Sequence, residues 1–306
     1  MRFSVLLAAF ALMPLAALAE PLSIAWSPSP QTPQLDVARA KGYLDEAGLD
    51  LTVTTFQSGR EAFEALLGGQ ADLAAMAEFP AATGILTGQP FRIVAELSHF
   101  TGSRIIGSTD AGPLTTPADL KGRRIGTTLG TNVDFALSSL LAEAGVTAEI
   151  VNVGPGDLAA ALARGDVEAV SAFPNAYPQI RQALGARAAE IPNDAYEPYF
   201  IVTATLPAAT GKAAEIGKLL DAFRKADAFI AAHPQEAAQI MSDATSGNIS
   251  AEQVLAQWQD TVIGVGLSDN LAELLVRQGG WIVDQGQIRA EKPDLATVKG
   301  FFPDPH

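Results

Sequence analysis

The sequence predicts a two-lobed α/β protein in which one folding unit occurs twice. Apolar runs typical of strands alternate with helical stretches from Pro21 onward, and this alternation starts again near Thr116. Two segments, 66–80 (LLGGQADLAAMAEFP) and 162–176 (LARGDVEAVSAFPNA), also share the order helix end, Gly, acidic residue, strand and Phe-Pro. This shared order favours two lobes of one design, the alternative being chance similarity in an Ala-rich chain.

The N-terminal segment 1–19 has the pattern of a secretory signal peptide. Arg2 precedes an apolar run that ends at Leu15, and Ala17-Leu18-Ala19 is the small-x-small pattern found before cleavage sites. The run is about thirteen residues long, whereas a helix that spans a bilayer needs roughly twenty. We therefore expect export to the periplasm and cleavage after Ala19.

Composition excludes several classes of function. The chain has 306 residues, enough for two lobes, and a formal net charge of −14 without any cluster of Lys or Arg. Nucleic acid is therefore not an expected partner, because its recognition needs a basic stripe. The absence of Cys excludes disulfides, thiol catalysis and a lipidated Cys anchor. We expect a free monomer without a cofactor or metal.

The first unit begins with strands and helices that alternate over about eighty residues. Gly48 and the pair Gly68-Gly69 follow helical stretches, where Gly adopts the left-handed conformation that ends a helix. The predicted strands are 22–26, 50–56, 72–76 and 91–97, and the predicted helices are 34–46 and 60–67.

The second unit repeats this alternation of strands and helices and is followed by a helical tail. The sequence predicts a strand at 124–127, a helix from 132 to 144 and a strand near Ile150, and a β-rich run at 199–205 closes the unit. The remainder is mostly helical, with helix starts at Pro207, Pro234 and Ser250. We expect lobe one to comprise 20–108 and 205–306, and lobe two 109–204.

Both Phe-Pro pairs mark a strand that runs into a helix. Proline is favoured in the first helical turn, so Pro80 and Pro174 each indicate a helix start. In open α/β sheets, ligands bind beyond the carboxyl ends of the strands. The sequence therefore predicts a cleft between the lobes, lined by Phe79 and Phe173.

Several short motifs together resemble the NMT1/THI5-like substrate-binding proteins of ABC importers. The resemblance covers roughly 22–205 and implies a type II periplasmic-binding-protein fold, with crossing strands near Ile105–Ser108 and Phe200–Thr203 and hinge closure over a solute. It also implies two partners, a small-molecule solute and an ABC permease of the inner membrane. The motifs are DLKGRRIG at 119–126, LGTN at 129–132, PGD at 155–157, GDVEA at 165–169, Gly59 before a helix and GQAD at 69–72.

Two strand-to-helix junctions are candidate sites for an anionic group. Gly130, Thr131 and Asn132 precede the long helix of lobe two, where free N–H groups and the helix dipole favour anions. The alternative is that Thr131 or Asn132 only caps this helix. The matching junction of lobe one is Ser58-Gly59-Arg60, where Gly59 allows close backbone approach and Arg60 is either a ligand cation or a solvated residue.

Glu78 predicts a different ligand chemistry. Its carboxylate, at a strand end just before Phe79, can accept hydrogen bonds from an amine or an aminopyrimidine. Alternatively, it favours the following helix through the dipole. Phe79 and Phe173 are candidates for stacking walls, and each is equally consistent with ordinary core.

Four further polar residues lie where strand-end loops should face the cleft. Gln31 belongs to the Pro-rich loop SPSPQTPQ, and Asn175 lies just inside the second Phe-Pro turn. Both amides can donate and accept hydrogen bonds. Ser98 and His99 follow the strand at 91–97, although a lone His is more often structural.

We expect this protein to bind a sulfonate-, taurine- or nitrate-like solute and not to be an enzyme. The family that it resembles also includes a pyrimidine synthase with a Cys-rich iron motif, but this chain has no Cys. A pyrimidine precursor of thiamine, or another aromatic heterocycle, is the alternative solute. A solute sensor with the same fold, acting on a signalling partner, is the remaining alternative.

Overall fold

A computed structural model of the protein describes residues 21–303, so the predicted signal peptide lies outside the described residues. Within that range, eleven strands form one sheet of six strands and one of five. The strands are β1 (Leu22–Trp26), β2 (Leu51–Thr55), β3 (Leu73–Ala77), β4 (Phe91–Phe100), β5 (Arg104–Ser108), β6 (Arg124–Thr127), β7 (Glu149–Asn152), β8 (Ala169–Ser171), β9 (Ala188–Pro192), β10 (Tyr199–Thr205) and β11 (Thr261–Gly266).

Helices cover both faces of each sheet and form most of the C-terminal tail. The α-helices are α1 (Gln34–Ala40), α2 (Tyr43–Glu46), α3 (Gly59–Leu67), α4 (Phe79–Leu86), α5 (Asn132–Ala144), α6 (Leu158–Arg164), α7 (Tyr177–Leu184), α8 (Leu206–Gly211), α9 (Ala213–Ala232), α10 (Pro234–Ala244), α11 (Ala251–Trp258), α12 (Asp269–Asp284) and α13 (Leu295–Lys299). Helices α3, α4 and α12 bury their apolar side chains against one face of the six-stranded sheet, and α1 and α9 do so against the other.

Five consecutive strands have the same order in the two sheets, which confirms the prediction of two similar units. The six-stranded sheet has the order β11-β4-β10-β3-β1-β2, and the five-stranded sheet has the order β7-β6-β8-β5-β9. In each unit the first strand lies between the second and the third and is parallel to both. An antiparallel strand, β10 or β5, then pairs with the third strand.

The acidic residue of the repeated segment has the same structural role in both units. The Asp72 carboxylate accepts hydrogen bonds from the backbone N–H and the hydroxyl of Ser23, both at 2.8 Å. The Glu168 carboxylate accepts one from the backbone N–H of Arg124 at 2.9 Å. Each acid therefore fixes the loop before the third strand to the beginning of the first strand.

The chain changes sheet twice. It leaves the six-stranded sheet after β4, through residues 101–103, and returns from β9 through residues 193–198. Ile105–Ser108 therefore lies entirely in the five-stranded sheet, and Phe200–Thr203 entirely in the six-stranded sheet. The family resemblance implied β5 and β10 as crossing strands, but the chain crosses between the sheets just before each of them. The lobe boundaries predicted at 108 and 204 remain predictions.

Three elements differ from the predicted ones. The helix predicted at 34–46 is divided by Gly42, whose φ of 73° is left-handed and ends the regular helix. The strand predicted at 91–97 extends to Phe100, and the tail contains the edge strand β11. Because β11 carries two glycines and is only half buried, its sequence has a weak strand signal. None of the helices within 21–303 has the length and apolar character needed to cross a bilayer.

Candidate functional site

A cavity of about 210 Å³ lies between the two sheets, beyond the carboxyl ends of β1, β2, β3 and β8. This is the position that the strand-end rule predicts. Both units contribute to its walls. Its lining residues are Ser27, Pro28, Ser29, Thr32, Gln57, Ser58, Gly59, Arg60, Ala75, Met76, Ala77, Pro80, Thr131, Asn132, Pro155, Gly156, Phe173, Pro174, Asn175, Ala176, Gln179 and Phe200.

The beginning of α3 forms one wall of this cavity and is capped by its own sequence. The Ser58 hydroxyl accepts a hydrogen bond from the backbone N–H of Glu61 at 3.3 Å. Gly59 packs directly on β3, since a Cβ atom there would lie 2.7 Å from the Met76 Cβ and 2.9 Å from the Met76 Cα. Close packing between helix and strand therefore requires glycine at residue 59.

The beginning of α5 forms the opposite wall and lacks a side-chain cap. The Thr131 hydroxyl donates to the Thr128 carbonyl at 2.7 Å and makes no capping hydrogen bond to the helix. The first N–H groups of a helix have no partner within the helix, so those at Asn132 are available to a bound anion. The nearby Asp134 carboxylate accepts from the N–H of Gly130 at 3.0 Å, and burial raises its pKa.

Arg60 is the one charged side chain among the lining residues that the structure describes. Its Nε donates to the Glu64 carboxylate at 2.9 Å, and its Nη1 donates to the carbonyl of Leu129 at 3.2 Å. Arg60 belongs to α3 and Leu129 to the loop before α5, so the second contact joins the two walls. The Arg60 side chain is 49% exposed, which places this contact at the rim.

Seven of the thirteen residues that the sequence predicted to bind a ligand line the cavity, and their contact with a ligand remains a prediction. Four of the five polar residues that the prediction missed lie in the loops after β1 and β2, where the strand-end rule, applied to every strand, includes them, and the fifth, Gln179, lies on α7. The seven are Ser58, Gly59, Arg60, Thr131, Asn132, Phe173 and Asn175, and the missed polar residues are Ser27, Ser29, Thr32, Gln57 and Gln179.

The other six predicted residues lie outside the cavity lining. Gln31 is fully buried, and its amide donates to the Gln257 side chain at 2.8 Å. The Ser98 hydroxyl donates to the Gln31 carbonyl, and the His99 ring stacks on Tyr199 with 5.2 Å between the ring centroids. The remaining three are Glu78, Phe79 and Gly130.

Glu78 is buried behind the cavity and has no exposed surface. Its carboxylate accepts hydrogen bonds from the Tyr196 hydroxyl, the Gln278 amide and, at 2.9 Å, the backbone N–H of Tyr199. Burial raises the pKa of Glu78 to about 7 despite these donors. The carboxylate therefore belongs to a buried hydrogen-bond network and does not face the cavity.

Phe79 is also buried core and not a wall of the cavity. Its ring lies 5.6 Å from that of Phe135 and 5.9 Å from that of Trp281, measured between centroids. Phe135 lies on α5, whereas Trp281 lies on α12 of the tail. This aromatic cluster therefore joins the two units behind the cavity.

Comparison with known proteins agrees with this architecture. The sequence model of the NMT1/THI5 like family matches residues 29–237. This match covers more than half of the chain, and the protein therefore belongs to the NMT1/THI5-like family. No curated protein sequence matches the chain significantly.

Solved structures of other proteins share the whole fold at low sequence identity. The aliphatic sulphonate-binding protein SsuA from Escherichia coli is 19% identical, with a TM-score of 0.77 and 91% of each chain covered. The alkanesulfonate-binding protein SsuA from Xanthomonas axonopodis pv. citri, bound to MOPS, is 18% identical, with a TM-score of 0.79 and coverages of 94% and 99%. The desulfurization enzyme DSZB is 16% identical, with a TM-score of 0.64 and coverages of 91% and 98%. The chain has the periplasmic-binding-protein fold.

Proposed function

We propose that this protein is the substrate-binding component of an ABC importer and captures a small sulfonate-like solute in the cavity between its sheets. The observation that carries the proposal is the uncapped beginning of α5, which presents backbone N–H groups at the cavity wall beside Asn132. Such helix termini bind sulfate, phosphate and carboxylate groups without further cationic residues. A sulfonate offers the same kind of oxygens.

The charge of the cavity lining supports an anionic solute. The chain has 34 Asp and Glu against 20 Lys and Arg, yet no carboxylate belongs to the lining residues within 21–303. Arg60 and the positive ends of α3 and α5 therefore favour a negative charge in the cavity, although the Asp134 carboxylate in the first turn of α5 offsets part of this effect. At about 210 Å³ the cavity is smaller than typical drug-binding pockets, which favours a short-chain solute.

The comparisons support the same class of solute. Both SsuA proteins are described as sulfonate binders, and MOPS, which is bound to one of them, carries a sulfonate group. The alternative solute, an aminopyrimidine, would use the Glu78 carboxylate, but that group is buried and holds three protein donors. The geometry therefore favours the anionic solute over the pyrimidine.

The partners and the location follow from this class of protein. Substrate-binding components deliver solutes to a permease, and the signal-peptide pattern of 1–19 supports delivery in the periplasm. Uptake of the identified solute by cells that contain or lack this protein tests the transport role. A normal rate of uptake without the protein would favour the sensor alternative.

The direct test is binding of taurine, alkanesulfonates, MOPS, nitrate and an aminopyrimidine to the purified protein, measured by thermal shift and calorimetry. A solute at a hundred times its dissociation constant should stabilise the fold by roughly 2.7 kcal/mol. Asn132→Asp places a negative charge at the beginning of α5 and should weaken sulfonate binding at least tenfold. Asn248→Asp makes the same change at an exposed residue and should leave binding unchanged. Binding of the aminopyrimidine alone would overturn the proposed solute class.

A further inference from the structure

One polar contact joins the two walls at the rim of the cavity. The Arg60 guanidinium, on α3, donates to the carbonyl of Leu129, on the loop that leads into α5. The nitrogen–oxygen distance is 3.2 Å, and both residues are partly exposed to solvent. This contact exists only while the two units are close together, because its donor and acceptor belong to different units.

The backbone beside Leu129 is shaped to receive the guanidinium. Gly130 has a φ of +70°, which residues with a Cβ rarely adopt. A Cβ atom at Gly130 would lie 2.9 Å from the Arg60 Nη1. The arginine therefore lies against bare backbone, which is an observation independent of the hydrogen bond itself.

Glu64 orients the guanidinium for this contact. It lies one helical turn after Arg60 on α3 and accepts from the Arg60 Nε at 2.9 Å. Nε is held on the α3 side while Nη1 reaches the other unit. Two of the donors are therefore engaged by protein groups, and Glu64 offsets part of the positive charge.

We infer that Arg60 is a closing latch and not primarily the counterion of the solute. It holds the rim of the cavity together by hydrogen bonding to the backbone of the other unit, whatever charge the solute has. The inference rests on the proposed function in one respect, that solute is captured by closure of this cavity. Anion recognition is then left to the N–H groups at the beginning of α5.

The two roles predict different kinetics. A latch stabilises the closed form, which retains the solute, so its removal should accelerate dissociation and leave association nearly unchanged. A counterion attracts the anion before contact, so its removal should slow association and reduce the dependence of that rate on salt. A partly exposed hydrogen bond of this kind contributes about 1 kcal/mol, which corresponds to a change of roughly fivefold.

The first experiment needs no solute. Because the chain has no Cys, Gln70→Cys and Glu143→Cys provide two exposed spin-label sites, one on each unit. We expect Arg60→Gln to shift the measured label-to-label distances of the free protein towards longer values. Glu64→Gln keeps the latch contact and should leave the distances as they are. Identical distributions for Arg60→Gln and the parent protein would overturn the latch, even if no sulfonate binds.

The second experiment measures stopped-flow kinetics with an alkanesulfonate that binds the parent protein. Arg60→Gln should raise the dissociation rate roughly threefold to tenfold and change the association rate less than twofold. Gly130→Ala should also accelerate dissociation, because its Cβ crowds the Arg60 guanidinium. In a protein that already carries Arg60→Gln, adding Gly130→Ala should change the dissociation rate less, because the guanidinium is absent. Slower association with unchanged dissociation for Arg60→Gln, or tighter binding for Glu64→Gln, would identify a counterion and refute the latch.

Discussion

The Glu78 carboxyl group shows how burial can outweigh hydrogen bonding at a single residue. Three donors point at this carboxyl group, from Tyr196, Gln278 and the backbone of Tyr199. Donors stabilise the charged form, whereas complete loss of hydration destabilises it. Desolvation is the larger effect here, and the pKa rises to about 7.

This shift makes stability dependent on pH near neutrality. The folded chain retains the Glu78 proton to about pH 7, whereas the unfolded chain releases it near the ordinary pKa of 4.5. The contribution is therefore complete below about pH 4.5 and is lost as the pH rises through 7, a loss of roughly 3 kcal/mol. In urea unfolding between pH 5 and 8, Glu78→Gln should lose less stability than the parent protein. An equal loss in both proteins would contradict this assignment.

Gly59 packs closely against β3 and also lines the cavity. Gly59→Ala would place its Cβ 2.9 Å from the Met76 Cα, and a backbone atom of a central strand cannot move aside easily. We expect a loss of roughly 1–3 kcal/mol in the free energy of unfolding. Gly217→Ala, within α9 and with no atom within 4 Å of the added Cβ, should instead gain about 0.5–1 kcal/mol. Similar values for both variants would contradict the packing argument.

At the scale of elements, the acid of the repeated segment explains why each unit joins its first and third strands in the same way. Asp72 holds Ser23 at the beginning of β1 and also pairs with Lys212 at 2.9 Å. Glu168 holds the N–H of Arg124 at the beginning of β6. Both acids precede a central strand, so the sequence repeat reflects a repeated tertiary contact.

Substitution of these acids should therefore weaken the sheets to different extents. Asp72→Ala removes the acceptor of two Ser23 donors and of Lys212, and should cost roughly 1.5–3 kcal/mol. Asp72→Asn keeps an acceptor oxygen and should cost less. Glu168→Ala removes fewer contacts and should fall below Asp72→Ala in urea unfolding. The prediction fails if Glu168→Ala is the more damaging substitution.

Elements and site residues differ in how far the sequence predicts them. Apolar runs of β1 and β6 and the periodicity of α5 are local signals, and their bounds were predicted to within a residue. Ser58 and Thr131 line the cavity, and the sequence places them there because helix starts follow strands locally. Gln31 and Glu78 lie outside the cavity lining, and the sequence does not reveal this because their partners, Gln257 and Gln278, lie 226 and 200 residues away along the chain. Periodicity cannot report such contacts.

At the scale of the whole molecule, the C-terminal tail contacts both segments by which the chain changes sheet, 101–103 and 193–198. Asp260, just before β11, pairs with Arg104 at 3.1 Å, and its carbonyl accepts from the N–H of Thr101 at 2.8 Å. Gln278, on α12, donates to the Glu78 carboxyl group, which also accepts a hydrogen bond from the hydroxyl of Tyr196 in the segment 193–198. The tail therefore fastens the two segments about which the units would have to move.

The same tail supplies a natural reporter of such movement. Trp281 packs edge-on against Phe135 of the other unit, with 5.3 Å between the ring centroids. Separation of the two units would expose one face of the indole to water. We therefore expect solute binding, by favouring the closed form, to shift Trp281 fluorescence to shorter wavelength.

Trp281→Phe should abolish this fluorescence response and keep solute affinity within about threefold, because Trp281 does not line the cavity. Trp258→Phe is the matched control, because Trp258 belongs to α11 and donates to the Pro30 carbonyl at 2.7 Å within the first unit. Its response should equal that of the parent protein. If Trp258→Phe abolishes the response and Trp281→Phe retains it, α5 does not move relative to α12, and closure must occur by bending elsewhere. Before solute is added, Arg60→Gln should fluoresce at longer wavelength than the parent protein, because fewer molecules are closed. Such a shift would show that the rim contact and the aromatic cluster behind the cavity report the same closure.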